Sequence, residues 1–108
     1  STVKPYRAEK YAALTDVTSM AEPISLKFPS SEYPEEARRA GFEDKVLVKL
    51  TVDETGRVVE VVVLKDPGYG LGEAAPRLLK KYARFKPAMR GGEPVVTEFP
   101  FTVHFELF

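Results

Sequence analysis

Apolar positions recur with a period of two in three places along this chain and with a long helical period in the stretch before the last of them. In KVLVKLTVDETGRVVEVVVLK, Val46, Val48, Leu50 and Val52 alternate with Leu47, Lys49 and Thr51. Beyond DETG a second run puts Val59, Val61 and Val63 on one face and Val58, Glu60, Val62 and Leu64 on the other. Asp53 and Gly56 supply turn chemistry between the runs, so the stretch predicts a β-hairpin. The chain closes on FPFTVHFELF, where Phe99, Phe101, Val103, Phe105 and Leu107 alternate with Pro100, Thr102, His104 and Glu106. That pattern predicts a half-buried strand from about Val95 to Leu107. Between them, Leu71, Ala75, Leu78, Tyr82 and Phe85 fall on one stripe of a helix, with Pro76 expected in its first turn or at a kink. KPAMRGGEP, turned by Gly91 and Gly92, reads as a loop. A short helix is predicted over residues 34–40. Pro34 suits its first position, Glu35 and Glu36 the positive end, Arg38 and Arg39 the negative end, and Gly41 a left-handed cap.

The order is then helix, strand, strand, helix, strand. A helical crossover makes the second and third strands parallel, and the first strand, antiparallel to both, sits between them. The expected fold class is α+β: a three-stranded antiparallel sheet of order 2-1-3 with two helices on one face. The last strand is then an edge, whose outer N–H and C=O groups have no partner in the chain. Residues 1–32 read differently from residues 33–108. KPYRAEKYAALTDV predicts a short helix with Tyr11, Leu14 and Val17 on one face, and Pro23, Pro29 and Pro34 then favour an extended path. Residues 1–32 are expected to be the end of a linker that docks on a domain formed by residues 33–108.

Composition narrows the function. The 108 residues carry 16 Lys plus Arg against 16 Asp plus Glu, so balanced charge gives no general attraction to nucleic acid. There is no cysteine, hence no disulfide framework. No apolar run approaches the ~20 residues of a membrane-spanning helix.

The candidates for chemistry are few. Gly68, Gly70 and Gly72 in DPGYGLGEA lie where a phosphate loop would sit, but Glu73 stands where a dinucleotide fingerprint needs glycine, and the Lys-Ser/Thr ending of a P-loop is absent. The plainer reading is a tight turn with a glycine at the helix start. His104 is the single histidine, so no multi-histidine metal site exists, and no partner for a general base is visible. Arg77, Lys80, Lys81, Arg84, Lys86 and Arg90 read as the solvated back of the amphipathic helix. The expectation is a domain that is not an enzyme and uses no cofactor and no metal. Its most informative feature is the unpaired edge, which is open to an extended peptide as an added strand.

Taken in order, Tyr33-Pro34, Ala37, the V-x-V-x-L-x-V-D-x-x-G-x-V hairpin of Val46–Val58, Leu71 with Ala74-Ala75, the R-F-x-P-A of Arg84–Ala88, Gly92 with Pro94-Val95 and the terminal F-x-L resemble the carboxy-terminal domain of TonB proteins. The resemblance covers residues 33–107. It implies a periplasmic domain held at the inner membrane through a helix and linker that this chain does not contain, its amino end being that of an excised piece. It further implies that an ExbB–ExbD motor drives the domain with energy from the proton gradient, and that the domain grips an outer-membrane TonB-dependent transporter whose TonB box adds as a strand. On that reading the partner-binding residues are Val96, Thr97, Glu98, Phe99, Phe101, Thr102, Val103, His104 and Phe105 of the edge, with Ser30, Ser31 and Tyr33 of the preceding segment. The same domain type serves other trans-envelope machines with different partners, such as motility or envelope assembly. A bare edge also admits a homodimer.

Overall fold

A computed structural model describes residues 17–107. The elements run β1 (Glu22–Ser25), a 3-10 turn (Ser30–Glu32), α1 (Glu35–Ala40), β2 (Asp44–Val52), β3 (Val58–Lys65), α2 (Leu71–Tyr82), β4 (Arg84–Lys86), β5 (Ala88–Arg90), β6 (Glu93–Val95) and β7 (Thr97–Phe105). The helix expected over KPYRAEKYAALTDV lies, but for its last residue, outside the described residues.

The central sheet has the order β3-β2-β7 with both pairings antiparallel, which is the 2-1-3 arrangement expected from the hairpin and crossover. Its inner face carries Val46, Val48, Leu50 and Val52, packed in one core with Ala37 of α1 and Leu71, Ala75, Leu78 and Leu79 of α2. Each fully buried leucine here contributes about 1.5–3 kcal/mol. No helix among the described residues covers the opposite face, and Leu47, Val59, Val62 and Leu64 are exposed there.

Four local expectations need correcting. Strict alternation put Val59 on one face with Val61 and Val63, and Val58 on the other with Glu60. In the structure Val58 is buried and Val59 exposed, because Val52 pairs with Val58 while Thr51 pairs with Glu60, leaving Val59 as the extra residue of a bulge. Phe85 does not continue the α2 stripe: the helix ends at Tyr82, and Phe85 is buried from β4. Pro76 lies in the second turn of α2, where it has no N–H to offer the carbonyl of Gly72. The expected loop at residues 86–94 is instead the β5–β6 hairpin, in which Gly91 and Gly92 both take positive φ, at 59° and 87°.

Two further pairings tie the chain's earlier part to the domain. β1 runs antiparallel to β4, and Ser19 bridges Met89. Downstream, Leu26 and Phe28 pack against the core. Among the described residues no helix is long and apolar enough to cross a membrane.

Candidate functional site

β7 pairs with β2 through nine consecutive residues, from Thr97 opposite Val52 to Phe105 opposite Asp44, without a register shift. No strand among the described residues pairs with its other side. Two observations fix which backbone groups face outward. Proline is tolerated in a sheet where its missing N–H points away from the ladder, which places the backbone groups of Pro100 outward. Just beyond β7, the N–H of Leu107 donates to Oε2 of Glu43 at 2.5 Å, at the entrance to β2, which places the odd-numbered amides inward. By strand alternation the N–H and C=O of Glu98, Thr102 and His104 lie on the free edge, while those of Phe99, Phe101, Val103 and Phe105 serve the ladder.

At the far end of this edge a cavity of about 670 Å³ opens between β7 and the segment that precedes α1. Ligand clefts typically measure about 300–1,000 Å³. Leu26, Phe28, Tyr33, Leu78, Phe105 and Leu107 supply its apolar lining. Lys27, Arg38, His104 and Glu106 supply the polar side chains. The aromatic walls brace one another: Phe28 lies 6.0 Å from Phe105 between ring centres, and Tyr33 meets Phe105 edge-on at 5.7 Å. Tyr33 Oη donates to the carbonyl of Phe42 at 2.8 Å. Burial, with the Glu43 carboxylate adding to it, pushes the Tyr33 phenol up, so it remains a neutral donor.

The wall formed by the 3-10 turn is held from α2. Glu32 accepts from Arg77 Nη1 at 2.9 Å, Lys81 Nζ at 3.3 Å and Tyr82 Oη at 3.1 Å. The Lys81 ammonium and the Tyr82 hydroxyl, with Arg77 adding, hold the Glu32 carboxyl below the usual carboxylate range.

The expected partner-binding residues fall into three groups. Ser30, Tyr33, His104 and Phe105 come together at the cavity. Glu98 and Thr102 lie along the edge with outward backbone groups, Glu98 pairing with Lys49 at 3.7 Å, and Ser31 is exposed on the turn. Val96, Thr97, Phe99 and Val103 are buried and Phe101 half-buried, so their side chains point to the core. Sequence reasoning missed Leu26, Lys27, Phe28, Arg38, Leu78 and Leu107 as lining, and missed Glu32 altogether. Phe28 and Glu32 bracketing the PSS of KFPSSE were the available signal.

The other candidates resolve into structure. The carboxylate of Asp66 accepts from the N–H of Gly68 at 2.8 Å and of Gly72 at 3.1 Å, so amides a phosphate would need are already engaged. A Cβ on Gly72 would stand 2.0 Å from that carboxylate, which is why glycine is required there. Of the basic cluster, Arg77 and Lys81 serve Glu32, and Arg84 donates to the carbonyl of Ala83. No group of three or more metal-ligating side chains occurs among the described residues.

The family model for the Gram-negative bacterial TonB protein C-terminal matches residues 29–107. The chain belongs to the TonB C-terminal domain family. A solution NMR structure of the Pseudomonas aeruginosa TonB C-terminal domain is similar, with a TM-score of 0.57 and 24% sequence identity, covering 90% of this chain and 92% of that one. No curated protein sequence matches. TonB C-terminal domains are periplasmic interaction domains of energy transducers. Among the described residues, β7 presents an unpaired edge beside a cavity.

Proposed function

We propose that this domain docks an extended peptide from an outer-membrane TonB-dependent transporter as a strand added to β7, and passes on force that an inner-membrane motor of the ExbB–ExbD type draws from the proton gradient. The domain works in the periplasm and is tethered to the inner membrane through a segment outside this chain. The observation that carries the reading is the nine-residue, unbulged edge of β7 running into an apolar cavity. Main-chain hydrogen bonds along such an edge supply affinity for any extended segment, and neighbouring pockets select among them. Family membership supports the transporter as the source of the segment.

A backbone amide NMR titration with synthetic peptides copied from the amino-terminal segments of transporter plug domains tests this. The expected result is shifts at Glu98, Thr102 and His104, and around the cavity at Leu26, Ser30 and Leu107. Silence at β7 with every such peptide overturns transporter docking and directs the search to partners from other trans-envelope machines.

A further inference from the structure

We propose that the cavity at the end of β7 is a side-chain subsite of the docking edge, taking one large aliphatic or aromatic side chain of the added peptide with a carboxylate beside it. This rests on the reading of β7 as a docking edge and adds a selectivity to it that backbone pairing alone cannot provide.

Side chains of an added strand alternate between the two faces, as those of β7 do. On the inner face, the strand's neighbour at this end is Phe105, and beside Phe105 the sheet gives way to the apolar lining of Phe28, Tyr33 and Leu78. An inward side chain of the peptide there meets a cavity that no side chain among the described residues fills. The charges around it are unequal. Lys27 and Arg38 have no carboxylate partner among the described residues, and Glu106 is the single acid in the lining. Arg38 is held over the turn by a 3.5 Å contact from Nη1 to the carbonyl of Ser30. Among the described residues, two cations without a carboxylate partner against one acid favour a peptide carboxylate close to the entering apolar group.

Glu32 is the positioning residue of this subsite. Its side chain does not itself line the cavity. Its three bonds reach Arg77, Lys81 and Tyr82, which lie on α2 either side of Leu78. The latch therefore sets the distance between the Pro29–Ser30 wall and the Leu78 floor.

The test takes one plug-derived peptide that shifts β7 and replaces each of its apolar residues by Ala, and each acid by its amide, in turn. Affinities are measured by calorimetry against the wild-type domain, Ser30→Trp, Glu32→Gln and the Lys27→Ala/Arg38→Ala pair. One apolar position is expected to cost roughly tenfold or more on truncation, as fits loss of a buried large apolar side chain. That preference disappears against Ser30→Trp, which fills the cavity from an exposed turn. Glu32→Gln weakens the parent peptide about two- to fivefold and the truncated peptide hardly at all, the range of a partly exposed ion-pair network. A merely structural role for Glu32 would weaken both peptides alike. The amide replacement nearest the apolar anchor loses its effect against the Lys27→Ala/Arg38→Ala pair. If amide shifts appear at Glu98, Thr102 and His104 but every truncation is equally mild, the subsite is overturned and strand addition stands. If no plug-derived peptide shifts β7, both fall together.

Discussion

β3 and β7 both flank β2, yet they offer different edges to a passing chain. The pairing of β3 with β2 is broken twice, by an extra residue at Val59 and another at Leu64. Bulges of this kind twist and bend an edge, and so spoil it as a template for another strand. β7 has no bulge, and its protection among the described residues is one proline and the Glu98–Lys49 pair. β7 also leads into a cavity. A sheet with one bulged edge and one straight edge favours strand addition at a single side.

Proline scanning of β7 separates its inward from its outward backbone groups and is expected to have the largest effect. Val103→Pro removes a donor from the ladder with β2 and orphans a carbonyl within the sheet. The expected destabilisation is about 3 kcal/mol. For a domain of this size that corresponds to a fall in Tm of roughly 12–24 °C. Thr102→Pro removes a donor only from the free edge. Its Tm is expected to stay within a few degrees of wild type (about 4 °C, or under about 1 kcal/mol), while plug-derived peptides lose most of their affinity. Thermal melts and titrations on the two variants decide the matter. A stable Val103→Pro with abolished binding would reverse the assignment of inward and outward amides.

Smaller in effect is self-association. A straight edge pairs with a second copy when no peptide is present. Sedimentation velocity is expected to show weak, concentration-dependent dimerisation of the wild type that Thr102→Pro abolishes. A proline replacing the exposed Val59 at the β3 bulge is expected to leave dimerisation unchanged. Loss of the dimer in the β3 variant alone would assign the sticky edge to the wrong strand.

The contrast between the edges also shows what could be read from the sequence. β2, α2 and β7 each carry a periodic pattern over seven or more residues, and the hairpin and crossover then dictate the order of the sheet. The free edge follows directly from that order. The bulges were not legible, because Val58 and Val59 are both valine and only pairing with β2 decides which one is the extra residue. β4, β5 and β6 have three residues each, too few for a period to register. The cavity draws on segments far apart in the chain, and the Glu32 latch spans 45 to 50 positions. Such contacts are products of the tertiary fold. Sequence pattern located the edge, and packing built the cavity beside it.

The smallest expected effect concerns that latch. Glu32 is ionised more readily in the folded domain than in the unfolded chain, first because of its bonds from Lys81 and Tyr82. A carboxyl held low in the folded state contributes stability that is present above its ordinary value of 4.5 and is lost as pH falls from there through the folded value. At neutral pH the latch is therefore fully engaged, and it opens only in acid. Wild type is expected to lose slightly more stability than Glu32→Gln as pH drops below about 4.5, the ordinary Glu range, with the two curves parallel above it. The readout is the difference in Tm between the two proteins across pH 3–7, paired with the amide shift of Ser30. A difference that stays constant down to pH 3 would mean that Glu32 holds the turn by packing rather than by charge.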